Sequence, residues 1–358
     1  MSAAPLQAPA PQPAAGTPSA RGPGLLAHPL AKPLLALAAL LVLDLIFIPG
    51  FFHLQIRDGH LYGPLIDIVN RAAPLMLAAL GMTLVIATRG IDISVGAVVA
   101  LSGTVAAMLI GGTMVVNDGV PEYVANTPMA LALAAALGAA ILCGAWNGLL
   151  VAGLKLQPIV ATLILMVAGR GLAQLLTDGQ IVTVYYKPFF FLGSGYLLGI
   201  PFALWLVAAV LLVVGLLLKK TALGLFIQAV GINPVAARLA GLRTATLIFA
   251  VYVFCSACAG LAGLMIASNI KSADANNAGL LLELDAILAV TLGGTSLAGG
   301  KFSLAGSMIG ALIIQTLTYT IYSLGVPPEV NMVVKSIVVF AVCLSQSAGF
   351  KNLWKGRA

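Results

Sequence analysis

Charge is what this chain has least of. Only 8% of its 358 residues are Asp, Glu, Lys or Arg, where a soluble domain carries about a quarter. That scarcity excludes a solvated globular surface. Histidine is scarcer still: His28, His53 and His60 are the only three. None lies in a long apolar run, so no histidine metal site or histidine proton relay can be built inside one. The four cysteines, Cys143, Cys255, Cys258 and Cys343, all sit in apolar runs. Cys255 and Cys258 form a C-x-x-C, a spacing that redox and metal motifs use. With no second pair and no flanking histidine, it reads as two small packed residues one helical turn apart. No nucleophile, base and acid come together in a catalytic pattern. The chain is expected to move something without transforming it, to be no enzyme, and to bind no metal or cofactor itself.

What the chain has instead is apolar length. Hydrophobic residues make up 61%, and the mean hydropathy is +1.08. Runs such as 33–49, 130–154, 201–218 and 244–267 are near the ~20 residues a helix needs to cross a bilayer. The expected fold class is therefore an all-α polytopic membrane protein. About ten spans are expected, near 33–49, 68–88, 91–113, 128–153, 157–177, 201–218, 244–270, 283–298, 303–322 and 330–347. Residues 1–30 hold seven prolines and many alanines, too little to bury a core, and are expected to form a disordered tail. They lack the basic start of a secretory signal, so the first span is expected to stay uncleaved. A transmembrane domain then occupies 31–350, and 351–358 form a short second tail.

The few charges sort by side. One set of loops receives Lys32, Arg89, Lys155, Lys219, Lys220, Arg238, Arg243 and Lys301, together with Arg21, Lys351, Lys355 and Arg357 in the tails. The other receives Asp58, Asp67, Asp118, Glu122, Asp178, Asp274, Glu283, Asp285 and Glu329. By the positive-inside rule, the basic side and both termini are expected to be cytoplasmic. The net charge of +7 then reflects topology and gives no reason to invoke nucleic acid.

Glycines interrupt the apolar pattern in two places, near 88–98 and 293–303. Gly90 and Gly96 bracket IDISV, and Gly294 and Gly300 bracket TSLAG, each pair six apart. Such paired interruptions point to broken helices lining a central pathway. The first contains Asp92, a carboxylate between two apolar runs. Three roles are open to it: capping the next helix through the N–H of Ser94 or Val95, pairing with Arg89 or another arginine to lock a gate, or binding a polar substrate. All three turn it away from lipid. Arg170, with Gln174 one turn on, could snorkel or face the pathway. Asn147, among small residues, could serve helix packing or substrate contact. The stretch TSLAGGKF (295–302) imitates a phosphate-binding loop, but Thr295 replaces its first glycine and Phe302 its hydroxyl. Lys301 is better read as an anchor at the membrane edge.

If transport is uphill, the energy enters from another subunit. The basic loop 219–243 is the candidate point of entry. Asn233 is a good N-cap, Pro234 suits the first helical position, and Gly241 can end the helix in a left-handed conformation. About two turns of helix result, with Ala236, Ala237 and Arg238 on the surface. This pattern suits an ordinary connector or a docking element.

Four segments then resemble a known family: GMTLVIATRGIDISVGAVVALSG (81–103), ATLILMVAGRG (161–171), TALGLFIQAVGINPVAARLAGL (221–242) and ELDAILAVTLGGTSLAGGKFSLAGSMIGALI (283–313). They resemble the ribose/xylose-type permeases of bacterial ATP-binding-cassette sugar importers, and 70–98, 160–183 and 271–290 are most similar to its galactofuranose-importer branch. The resemblance implies a subunit that carries a monosaccharide across the bacterial inner membrane. It implies a permease dimer, with a heterodimer expected, on cytoplasmic ATPase subunits that hold the ATP and Mg. A periplasmic sugar-binding protein would deliver substrate. The expected pathway or gate contains Asp92, Ser94, Asn147, Arg170, Gln174, Thr295 and Ser296. Docking of the binding protein falls to Asp274, Asn276, Asn277, Glu283 and Asp285. Coupling to the ATPase falls to Gln228, Gly231, Asn233, Pro234, Ala236, Ala237, Arg238 and Gly241. Arg89 departs from the family pattern, where relatives commonly have a small residue. The rival classes are a proton-coupled carrier, for which Asp44 and Asp92 are the only candidate carboxylates, a channel, and an importer of another sugar such as ribose.

Overall fold

The structure, a computed structural model, describes residues 30–327 apart from 58, 118 and 119, with 330, 332–334, 336, 337 and 340 beyond them. Almost all of the expected N-terminal tail, much of the last expected span and the tail 351–358 lie outside the described residues. The described residues include twelve bounded α-helices: α1 (Ala31–Phe47), α2 (Pro64–Ala87), α3 (Val95–Ile110), α4 (Met129–Gly148), α5 (Pro158–Leu176), α6 (Phe191–Ser194), α7 (Phe202–Lys220), α8 (Leu223–Ile232), α9 (Pro234–Leu239), α10 (Thr244–Ile270), α11 (Leu282–Leu292) and α12 (Leu304–Ser323). Six of the described helices are long and apolar enough to cross a membrane: α2, α4 with its π-helical continuation Leu149–Gly153, α5, α7, α10 and α12. α3 and α8 are shorter and apolar.

Local chemistry explains several starts. Pro64, Pro158 and Pro234 open α2, α5 and α9, where a missing N–H costs nothing. Asn233 caps α9, its side chain accepting the N–H groups of Val235 and Ala236 at 3.0 Å each, and Ser303 caps α12 by accepting from Gly306 at 3.1 Å.

The all-α expectation needs one correction. Eight short strands, β1 (Gln55–Arg57), β2 (His60–Tyr62), β3 (Thr113–Asn117), β4 (Val120–Val124), β5 (Val182–Thr183), β6 (Tyr196–Leu197), β7 (Ile200–Pro201) and β8 (Ser272–Ala273), form four two-stranded antiparallel sheets. They lie in the connections, where backbone N–H and C=O groups have no helix to satisfy them. The pair β5·β8 has consequences, because it fastens the α5–α7 connection to the α10–α11 connection.

α10 is the central post, packed against α2, α3 and α4. Small residues allow the approach: a Cβ on Gly144 of α4 would stand 2.7 Å from the Val253 Cα of α10. The interfaces are mostly apolar, with a few internal hydrogen bonds: Thr83 of α2 donates to Ser307 of α12 at 2.7 Å, and Ser102 of α3 to the Gly260 carbonyl of α10 at 3.0 Å. In an apolar medium such bonds fasten helices that have no hydrophobic drive to associate. Asp44 of α1 is buried and accepts from Thr320 of α12 at 2.6 Å, so this carboxylate is taken up in joining two helices. Cys255 and Cys258 are buried, unpaired packing residues on α10. α2, α10 and α12 are mostly buried, whereas most residues of α4, α5 and α7 are at least partly exposed.

Candidate functional site

The chain leaves helix after Ala87 and re-enters it at Val95. Asp92, in that seven-residue interval (88–94), is fully buried. Its Oδ1 accepts the Ser94 N–H at 2.9 Å and the Ser94 hydroxyl at 2.6 Å. Asn147 of α4, also fully buried, donates to the Ser94 hydroxyl oxygen at 2.8 Å and more distantly to Asp92 Oδ1 at 3.4 Å. Oδ2 has no N–H or O–H donor; only the weak Cys255 thiol faces the carboxylate. Asp92, Ser94 and Asn147 thus form one closed cluster that shapes the entry to α3. Two residues the sequence reading passed over hold the same interval. Thr162 of α5 accepts the Ile93 N–H at 3.1 Å, and Tyr252 of α10 donates to the Ile91 carbonyl at 3.4 Å.

Arg89 does not pair with Asp92, which corrects one of the three readings of that carboxylate. Its backbone is left-handed, with φ 66°, and its side chain points the other way. Nε donates to the Ala298 carbonyl at 3.0 Å and Nη2 to the Ile232 carbonyl. These two carbonyls, in the 293–303 turn and at the end of α8, accept charge-assisted bonds from the guanidinium.

The second glycine interruption, 293–303, separates α11 from α12. Thr295 is buried and its hydroxyl accepts the Ser303 N–H at 3.2 Å; Ser296 is exposed and accepts the Ala298 N–H at 3.2 Å. Both side chains serve the turn itself. The two interruptions touch: the Gly300 N–H donates to the Ala87 carbonyl at 2.9 Å.

A separate pocket of about 440 Å³ lies further along α5, lined among others by Ala97, Arg170, Gln174, Asn276, Leu281 and Glu283. Half-buried Arg170 donates to the carbonyls of Ala278 at 2.6 Å, Ala275 at 3.2 Å and Asn276 at 3.4 Å, and Gln174 donates to Asn276 Oδ1 at 2.8 Å. Buried Glu283 opens α11 and accepts the Gly96 N–H in the first turn of α3, with Arg170 close enough to attract it. A carboxylate at that position meets the positive end of the α3 dipole, a role the sequence suggested for Asp92. Asp274 accepts from the N–H groups of Asn276 and Asn277 at 3.0 and 3.1 Å and from the Asn277 side chain at 2.8 Å. Burial alone would raise its pKa, but the Asn277 side chain, these N–H groups and the Arg170 charge outweigh it and hold the carboxyl below its usual value. Asp285 is half-exposed in the first turn of α11.

None of Asp92, Ser94, Asn147, Thr295 and Ser296 lines this pocket. The residues expected along one pathway therefore occupy separate places, while Arg170 and Gln174 join Asn276 and Glu283, two of the residues expected to dock the binding protein. No periodicity could show this, because the grouping comes from α5 crossing the 274–283 loop.

In the loop 219–243, Ala237 is buried in this chain, so it does not share the exposed surface expected of it. Its helix turns the other way: Val235, Ala236, Arg238 and Leu239 are exposed, Val235 and Leu239 at 67% and 85%. Ile232, Val235 and Leu239 form an exposed apolar ridge that is not among the sequence expectations. Gly241 has φ 88°, and Gln228 is half-buried on α8. Among the described residues no group of His, Cys, Asp and Glu could hold a metal.

A family model described as branched-chain amino acid transport system / permease component matches residues 65–343. The chain is 51% identical over 324 residues to a galactofuranose transporter permease protein of Escherichia coli (strain K12), covering 90% of this chain and 91% of that one. It is 39% identical to a fructose import permease protein of Bifidobacterium longum (strain NCC 2705), covering 92% and 90%. It is 38% identical to a ribose import permease protein of Escherichia coli (strain K12), covering 87% and 92%. No solved structure matches.

Proposed function

This chain belongs to the family of permease components named for the branched-chain amino acid transport system, and from that premise we propose the sugar-importer reading of it. It is a transport permease, not an enzyme. We propose that it is the membrane subunit of an ATP-driven importer of a monosaccharide, galactofuranose or a sugar of similar shape, in the bacterial inner membrane. The family's label names amino acids, but relatives at 38–51% identity over most of their length carry sugar names, and they support the sugar reading over the label.

The finer reading is about ten spans, two of them broken at 88–98 and 293–303, a second and non-identical permease subunit, and cytoplasmic termini. The domain division into an N-terminal tail, a core over 31–350 and a short final tail belongs to the same proposal. A cytoplasmic ATPase would dock on α9, and a periplasmic binding protein at the 274–285 side of the pocket. Arg170, Gln174, Asn276 and Glu283 would then offer a passing sugar hydrogen-bond partners already engaged with protein, so each contact is weak and the sugar is not trapped.

The observation that carries the ATP-driven reading is α9. A six-residue helix capped by Asn233, with Ile232, Val235 and Leu239 bare beside Arg238, has the size and chemistry of an element that seats in another protein. The test is to purify the tagged chain with its co-expressed genomic neighbours and reconstitute the assembly. ATP-dependent uptake of radiolabelled galactose, which equilibrates with its furanose form, is expected only with both the ATPase and the binding protein present. Uptake by the purified chain alone, driven by a proton gradient, would refute the reading.

A further inference from the structure

Three chain segments meet at Arg89. Its guanidinium bonds the Ala298 carbonyl in the α11–α12 interruption and the Ile232 carbonyl at the end of α8. Ile232 is separated from α9 only by its cap, Asn233. Around this fork the backbones are as close as they can be. A Cβ on Gly231 would stand 1.9 Å from the Ala87 carbonyl oxygen and 2.4 Å from the Gly300 nitrogen, and one on Gly299 would stand 2.4 Å from Arg89 Cγ. The Gly300 N–H closes the ring on Ala87. Arg89 itself sits in a left-handed backbone conformation that arginine rarely adopts, so its geometry costs energy that the surrounding structure must offset.

We propose that Arg89 is a staple that transmits movement of α9 to both glycine-interrupted connections at once. If α9 is displaced, the Ile232 carbonyl moves with it. The rigid, planar guanidinium then pulls on Ala298 through one N–H and on the α2–α3 interval through its own backbone. A lone van der Waals contact could push but not pull; two charge-assisted bonds from one planar group do both. Asp92 and Ser94 lie three and five residues further along the same interval, bonded to Asn147 of α4, so movement at Arg89 reaches the cluster that shapes the entry to α3. Arg89 is thus a positioning residue that need never touch sugar. The proposal rests on the importer reading, because it needs a partner that moves α9.

The test uses the reconstituted complex and hydrogen exchange, with and without a non-hydrolysable ATP analogue. Arg89→Gly is the informative variant, since glycine is at ease at φ 66° and the staple is removed without backbone strain. In the wild type, nucleotide is expected to alter exchange in both 231–241 and 294–303. In Arg89→Gly the change at 231–241 should persist while that at 294–303 falls about tenfold, and ATP hydrolysed per sugar imported should rise by a similar factor, a typical coupling magnitude. Arg89→Lys, which keeps the charge but replaces the rigid planar fork with a single ammonium on a flexible stem, should fall between. A response at 294–303 in Arg89→Gly equal to wild type would overturn the proposal. So would equal losses in both segments accompanied by lower protection without nucleotide, which would make Arg89 a plain structural brace. A wild-type complex showing no nucleotide response at 231–241 would instead refute the importer reading.

Discussion

Gly231→Ala tests the junction between α8 and the two interruptions, because two opposing effects of known size compete there. Gly231 lies inside α8 and is not among the positive-φ glycines, so helix propensity alone favours alanine by about 0.5–1 kcal/mol. Packing opposes it. The new methyl would be 1.9 Å from the Ala87 oxygen and 2.4 Å from the Gly300 nitrogen, and both are backbone atoms that no rotamer change can move. Overpacking of this kind costs about 1–3 kcal/mol. Forcing Ala87 and Gly300 apart also weakens their hydrogen bond, worth about 1 kcal/mol. Packing wins, and the variant should be less stable by about 1–3 kcal/mol. Gly215→Ala on α7 is the control: nothing lies within 4 Å of its added Cβ, so only the propensity gain remains. The assay is thermal unfolding of both variants purified in the same detergent, followed by uptake in vesicles. Gly231→Ala should melt several degrees below wild type and lose uptake, while Gly215→Ala should match or exceed it. Equal melting temperatures for the two variants would refute the close approach of these backbones.

Asp92→Ala should cost about 1–3 kcal/mol, because it leaves the buried Ser94 N–H and hydroxyl without their acceptor; Asp92→Asn keeps an acceptor oxygen, so assembly should survive while uptake falls, read by size exclusion and transport together. Leu239→Glu should abolish capture of the ATPase in a pull-down while leaving the chain folded, since Leu239 is exposed; Ala237→Glu, by contrast, should lower the melting temperature, since Ala237 is buried within the chain. Asp274 titrates below an ordinary carboxyl, so its contribution to loop stability is complete above the unfolded value near 3.8 and is lost as pH falls through the lowered folded value. Amide exchange across 274–280, corrected for intrinsic rates, should therefore be unchanged from pH 7 to 5, and Asp274→Ala should raise it throughout that range; a steep loss of protection near pH 6 in the wild type would contradict this.

Sequence alone determined the solvent and most of the helices. Apolar runs of near-bilayer length, with charges confined to their ends, leave few alternatives once backbone groups must be satisfied without water. The capped helix at Asn233 was equally legible, because its cap, proline and terminal glycine act within a few residues of one another. So were the two glycine interruptions as departures from helix. The tertiary structure alone decided what those features touch. Nothing local to Arg89 says that its guanidinium reaches the carbonyls of Ile232 and Ala298 and not the carboxylate of Asp92 three residues away. Nothing local to Glu283 places it on the Gly96 N–H, or puts Ala237 inward and Leu239 outward on a helix too short to show a face. Those outcomes depend on which backbones approach each other across gaps of 100 residues or more, and that is set by the packing of α10 against α2, α3 and α4. Periodicity records how a segment meets its solvent; partners distant in sequence leave no trace in it.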